Sequence, residues 1–488
     1  MNFQNLEIEP INKIGALEVG KYGTRAEQLR ELFNIGLPIP DGFLIPILSV
    51  NERHNLDEFQ LSRNFDDLEG LYSLRCSVLD NTWGGVNAIL NLGMNDELVN
   101  HLVPVLGKKS ALAIYRRFIQ NFGTAVYGLE PDLFENLVHE HVRSSKVLDD
   151  NQLEESSLSQ IVDDSKNEFE RWTGLRFPQN LSDQIDLAFD FLCREWTRPS
   201  AVILRQTRGA PEDAGLGVVL QKMVLGLGSD FSGSGQIKSI IKDTGESSLH
   251  GYFLPNSQGK DVLLGTRIPN VLSEDQRISE GQSIQSLEAM HSDSFERIKK
   301  MVRKASVEMG ETFNFDFTIQ ANKLYILGAT IAERSPRASV RIAVDLVGIG
   351  ALREEEALLK VEPYNLIEFL HPQLNPGVQR DVFGNGLPAS PGAVSGRIVF
   401  SSQSASALKA KGEAAILVRL ETSPEDISGI HDSAGVMTVR GGMTSHAAVI
   451  ARGLGLPCVV GVNSVNINLS EKTLTSRDGR KFLEGEKI

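Results

Sequence analysis

The chain has 488 residues, of which 41% are hydrophobic and 23% charged, an ordinary composition for a water-soluble protein and a length that calls for two to four domains. Its 63 acidic and 49 basic side chains leave a net charge of -14, which argues against nucleic acid or an anionic membrane as partner. Three cysteines, Cys76, Cys193 and Cys458, lie far apart without metal-ligand spacing. Neither a disulfide framework nor a zinc site is expected, and a reducing cytoplasm is the natural location. The opening MNFQNLEIEP lacks the basic and apolar regions of a signal peptide, and no apolar run approaches the length of a membrane span.

The first hundred residues mix short apolar runs with turns such as Gly36-Leu37-Pro38-Ile39-Pro40-Asp41-Gly42-Phe43, which predicts an α/β layer. Across 111–196 apolar positions recur at helical spacing, and the acidic, serine-rich stretch 127–166 reads as a solvated helical excursion. Residues 201–335 return to strand-like runs, among them 217–225 and 323–327, and predict a second sheet-containing lobe. Between 361 and 387 prolines, asparagines and glycines gather without periodicity, which places an interdomain connection there. The segment 386–488 then reads as an α/β unit of its own, with 11 basic and 9 acidic residues, net +2, against -16 for the remainder.

The sharpest chemical signal is Arg440-Gly441-Gly442-Met443-Thr444-Ser445-His446-Ala447-Ala448-Val449-Ile450-Ala451-Arg452-Gly453. A strand over 435–439 feeds two glycines, then Thr444 and Ser445 at an N-cap, then an apolar helix expected to stop at Gly453. His446 falls in the first turn, where unpaired amides and the helix dipole favour an anion such as a phosphorylated imidazole. A histidine that merely caps the helix is the competing reading.

This string resembles the phosphohistidine loop of the phosphoenolpyruvate-utilising enzymes, and Met443 with Ala451-Arg452-Gly453 resembles the pyruvate, phosphate dikinase branch. Gly386-Leu387-Pro388-Ala389-Ser390-Pro391-Gly392 and Arg419-Leu420-Glu421-Thr422-Ser423-Pro424-Glu425-Asp426-Ile427 are similar to two further segments of the same domain. The resemblance extends to the front of the chain. Gly20-Lys21-Tyr22-Gly23 looks like the opening of the ATP-grasp domain, and Ser73-Leu74-Arg75-Cys76-Ser77 like the strand presenting an arginine to the transferred phosphoryl group. It implies Lys21 and Arg75 as nucleotide contacts and His446 with Arg75 as catalytic residues. Gly441, Gly442, Thr444 and Ser445 would form the phosphohistidine loop. Asp230, Ser232, Gly233, Ser234 and Gly235, within 223–246, resemble the family's glycine-rich phosphate loop.

Three departures accompany these matches. Ile240 stands where the family has arginine, Lys260 replaces an acidic residue, and Gly328-Ala329-Thr330 replaces a Gln-Thr-Arg triplet that holds metal and phosphoryl group. Asp316 keeps a carboxylate, one methylene short, as the single candidate Mg²⁺ ligand. Without a neighbouring amide it would make a poor octahedral site. Full-length members continue into a barrel that binds phosphoenolpyruvate, and the sequence given ends before such a segment.

The expected organisation is therefore a multidomain α/β protein. An ATP-grasp-like lobe with a helical insertion covers 1–200, a second lobe 201–360, a linker 361–385 and a swivelling phosphohistidine domain 386–488. The function implied is ATP- and Mg²⁺-dependent phosphorylation of His446 and transfer to an unidentified acceptor, possibly a separate protein. The alternative is a catalytically impaired homologue that acts as a regulatory or interaction protein.

Overall fold

The computed structural model describes residues 7–18, 20–48, 69–147, 152–228, 230–258, 267–372, 374–375, 378 and 380–488. It is a mixed α/β structure whose contacts divide it into two compact units, Met1–Glu333 with Val344–Glu354, and Arg334–Ala343 with Glu355–Ile488. Among the described residues no helix is long and apolar enough to cross a membrane.

The first unit contains two antiparallel sheets. One holds β1 (Glu9–Pro10), β2 (Gly42–Leu48), β3 (Tyr72–Ser77), β4 (Ile89–Leu92) and β5 (Leu216–Lys222) in the order β1-β2-β5-β3-β4. The near-continuous apolar run of β5 follows from burial of both its faces. Leu216, Val218 and Leu220 enter one core and Val219 another, as side-chain alternation along a strand requires. The strand assigned to 201–335 by its position in sequence thus belongs to the sheet of the opening residues, because Tyr72–Ser77 pairs with it.

Helices α2 (Leu98–Leu106), α3 (Lys108–Tyr127), α4 (Asp132–Ser145), α5 (Glu155–Thr173), α6 (Leu181–Thr197) and α7 (Pro199–Thr207) follow α1 (Thr24–Asn34) in the chain. In α3, Leu112, Tyr115, Phe118, Phe122 and Val126 recur every three or four residues and are buried. Phe118, Phe122, Phe169 and Phe177 meet with ring centroids 5.2–5.8 Å apart in tilted or edge-on pairs. The stretch 127–166, read as a solvated excursion, adds Phe134, Leu153, Leu158, Ile161 and Val162 to the same buried core.

The other sheet has the order β10-β9-β6-β7-β8, from β6 (Gly233–Ile240), β7 (Ser247–Pro255), β8 (Asn270–Val271), β9 (Phe313–Gln320) and β10 (Lys323–Ile331). Ala321 and Asn322 join β9 to β10 with φ of 48° and 64°, the two left-handed residues of a tight hairpin whose twist suits its strands. Helix α1 and the helix Ser292–Met309 share a core with this sheet.

The second unit is layered differently. Strands β12 (Arg397–Val399), β13 (Ala415–Arg419), β14 (Gly435–Thr438) and β15 (Cys458–Val460) are parallel, with β11 (Leu387–Ser390) antiparallel at the edge beside β15. Ala405, Ile430, Ala447, Ala448 and Ala451 of three helices cover one face. The meander β16 (Val465–Asn468), β17 (Thr473–Ser476) and β18 (Lys481–Leu483) covers the other through Val465, Leu474 and Phe482. Among the described residues, the expected linker is irregular apart from a 3₁₀ turn at Pro363–Leu370. Its last part is tied to its own unit, where Asp381 accepts from Arg480 at 2.6 Å and Phe383 packs on Phe482 at 4.9 Å.

Candidate functional site

In the first unit a cavity of about 620 Å³ is bordered by residues of β3, β5, β6, β9 and β10, by α1 and by the loop joining β3 to β4. Arg75 projects from β3, where it pairs in register with Val219, and its Nη1 donates to the Leu327 carbonyl at 3.4 Å. Leu327 sits at a break in the β9–β10 register between Ile326 and Gly328, which turns its carbonyl out of the ladder. Burial pushes the Arg75 guanidinium down to about 10, the nearby Arg25 charge acts the same way, and Asp316 opposes both. Asp316 lies on β9 between Gln236 of β6 and Gly328 of β10, and accepts from Gln236 Nε2 at 2.9 Å. The expectation that Asp316 has no neighbouring amide is thus corrected, since the adjacent strand supplies one. Ala329 and Thr330 border the same cavity.

The remaining residues expected at a nucleotide site fall elsewhere. Lys21 is not among the cavity-lining residues, and its ammonium pairs with Glu7 and, at 3.0 Å, with Glu18, which together hold its pKa above the usual lysine value. The run read as a glycine-rich phosphate loop is mostly strand β6. Ser234 is fully buried and its Oγ contacts the Ser257 carbonyl and Thr318 Oγ1, each at 2.9 Å. Ser232 Oγ accepts from the Ala321 amide at 3.0 Å. Glycine is required at 233 and 235 for packing: a Cβ would lie 2.5 Å from the Leu254 carbonyl or 2.4 Å from that of Tyr252. Only Gly235 of this group borders the cavity, while Asp230 is exposed in the preceding turn. Ile240 is buried at the far end of β6, and Lys260 lies outside the described residues.

Three contributors were not expected from the sequence. Arg25 of α1 points its guanidinium along the cavity with Nε donating to the Cys76 carbonyl at 3.2 Å. Gln236 holds Asp316. The loop 81–88 opens with a 3₁₀ turn that Asp80 caps by accepting from the Thr82 amide at 2.8 Å, and brings Gly84 and Gly85 to the wall. The Gly-Gly pair just after the Arg75 strand was the available signal for this loop, whereas Arg25 carried none. Among the described residues no three carboxylate, histidine or cysteine side chains gather as a metal cage.

The second unit positions His446. Strand β14 ends at Thr438, whose Oγ1 donates to the Arg440 carbonyl at 2.7 Å, and the chain turns through Gly441 at φ 105°. A Cβ at Gly441 would sit 3.0 Å from that of Ser445, so glycine lets the loop close on itself. Gly442, Met443 and the exposed Thr444 complete the turn, which Arg452 pins by donating to the Met443 carbonyl. Ser445 is the N-cap, accepting from the Ala448 amide at 3.4 Å, and His446–Leu454 is the helix. It ends one residue beyond the expected stop at Gly453, because Gly455 takes the left-handed cap at φ 65°. His446 is half-buried, and its Nδ1 is buried with no hydrogen-bond partner. The segment 419–427 is structural at Asp426, which pairs with Arg419 at 3.1 Å and accepts from the Ser423 amide at 3.0 Å. Glu425 beside it is held below the usual carboxylate range chiefly by the Ser423 hydroxyl, with a smaller contribution from His446.

An imidazole with an unpartnered ring nitrogen, in the first turn at the positive end of a helix, is suited to carry an anionic group. The family described as "PEP-utilising enzyme, mobile domain" matches residues 411–481, which include this loop. The chain is 34% identical over 475 residues to pyruvate, phosphate dikinase of Rhizobium meliloti, covering 93% of this chain and 53% of that protein. It is 35% identical over 491 residues to the Clostridium symbiosum enzyme, covering 96% and 55%. To the chloroplastic enzyme of Flaveria pringlei it is 34% identical over 486 residues, covering 95% and 50%. The chain spans about half the length of these curated relatives, and over that half it resembles the pyruvate, phosphate dikinases while carrying the mobile domain of the PEP-utilising enzymes.

Proposed function

We propose that the protein is a phosphotransferase of the pyruvate, phosphate dikinase type, in which a nucleotide bound in the cavity of the first unit supplies a phosphoryl group to His446. The observation that carries this reading is the His446 ring itself, with its unpartnered Nδ1 and first-turn position behind Gly441-Gly442-Met443-Thr444-Ser445. In the transfer an N–P bond forms at a neutral ring nitrogen as a P–O bond breaks, and the electron pair leaves with the nucleotide oxygen. The acceptor is a separate molecule of undetermined kind.

A cavity of about 620 Å³ with Arg25 and Arg75 on its wall suits a nucleotide polyphosphate. Asp316 and the Gln236 amide offer one carboxylate and one amide, a donor set for Mg²⁺ that arrives with phosphate oxygens rather than for a free-standing ion. Mg²⁺ there would neutralise charge on the transferred group. Arg75 would do so from the protein side.

A second reading, a catalytically impaired homologue that acts by interaction, is favoured by Gly328-Ala329-Thr330 beside Asp316 and by the engagement of Lys21 with two glutamates. Incubation with β- and γ-labelled ATP and Mg²⁺ separates the two. Acid-labile, base-stable label that disappears in His446→Ala supports the phosphocarrier, and an unlabelled wild-type protein refutes it.

A further inference from the structure

The charged side chains bordering the cavity are Arg25, Arg75, Lys222 and Asp316, three cations against one carboxylate in a protein whose net charge is -14. Among the described residues neither guanidinium has a carboxylate within ion-pair distance, although each is only partly exposed. The two arginines are close enough for the charge of Arg25 to disfavour that of Arg75. Each is also aimed by a backbone carbonyl, Arg25 by Cys76 and Arg75 by Leu327. Two oriented like charges with no ion-pair partner among the described residues, facing a cavity with one carboxylate against three cations, leave an electrostatic deficit that an anion relieves. The room for Arg25 is bordered by Gly328. A Cβ built there would be 3.4 Å from Arg25 Nη1, already in van der Waals contact, so a bulky side chain extending toward it would compete with the guanidinium for its place.

We propose that Arg25 and Arg75 form a two-arginine clamp for the phosphate chain of the cavity's ligand, and that Gly328 is the space that admits Arg25 to it. On this view a cation on α1 stands in where β10 offers no functional side chain at Gly328 or Ala329. The phosphate class follows from the clamp alone; that the phosphates belong to a nucleotide rests on the function proposed above.

The test is calorimetric titration of the full chain with ATP, tripolyphosphate and adenosine, for wild type, Arg25→Met and Gly328→Leu. Loss of one charge-assisted contact is expected to weaken ATP and tripolyphosphate about tenfold or more while adenosine is unchanged. Arg25→Met should also flatten the fall in ATP affinity between about 50 and 250 mM salt. Gly328→Leu keeps every charge and crowds the Arg25 guanidinium, so it should reproduce the loss, and it decides the matter if Arg25→Met does not fold. Tripolyphosphate binding without ATP binding overturns the nucleotide reading and leaves the clamp standing. Three results overturn the clamp: a folded Arg25→Met or Gly328→Leu with ATP affinity within threefold of wild type, equal affinity for ATP and adenosine, or no binding of either polyphosphate.

Discussion

Replacing Ser234 by alanine separates a phosphate ligand from a structural hydroxyl. Ser234 Oγ is fully buried in β6 and joins the Ser257 carbonyl and Thr318 Oγ1, both at 2.9 Å, with Ser257 and Thr318 themselves 1% and 0% exposed. Each intramolecular hydrogen bond contributes about 1 kcal/mol net, and an abandoned buried partner costs somewhat more, so two lost contacts amount to about 2 kcal/mol. That is roughly a thirtyfold change in the unfolding equilibrium. Because all three tryptophans, Trp83, Trp172 and Trp196, lie in the first unit, their fluorescence during urea denaturation reports on this unit without interference from the other. The expected result is a lower urea midpoint at unchanged slope, with ATP affinity within twofold of wild type. Undiminished stability with a tenfold loss of ATP affinity would refute the reasoning and return Ser234 to the phosphate site.

Lys21→Ala should leave ATP affinity within twofold of wild type, since its ammonium is engaged by Glu7 and Glu18 and does not border the cavity; titration calorimetry checks this. Burial pushes the Cys76 thiol up to about 11. The reactive thiolate is therefore scarce at neutral pH, and at pH 8 alkylation should run roughly two hundredfold slower than for a free cysteine of pKa about 8.5. Its rate should rise about tenfold per pH unit toward pH 11. Mass spectrometry of the Cys76 peptide after iodoacetamide measures this, and a rate that levels off near pH 8.5 would contradict it.

The second unit was the more legible in sequence because its chemistry is local. His446, its N-cap Ser445 and the turning Gly441 and Gly442 lie within six residues, so helix capping and loop closure can be read from neighbours in the chain. The mixed α/β class was legible as well, from the helical spacing of Leu112, Tyr115, Phe118 and Phe122 and from the apolar strand Leu216–Lys222. The cavity was a different matter, because its members are separated by up to three hundred residues and meet only through strand register. Gly233, Ser234 and Gly235 look like a phosphate loop until pairing with β7 and β9 makes them the tightly packed interior of a sheet. Arg75 and Asp316 reach one wall because β3 and β9 belong to two sheets that face the same space. Gln236 became the partner of Asp316, and Arg25 the neighbour of Gly328, through cross-strand and helix-to-sheet proximity that no sequence spacing encodes. Short-range periodicity and capping determine which elements form; which side chains confront one another across a cavity is decided only when long-range pairing sets register, since a shift of one residue would turn every side chain of a strand to its other face.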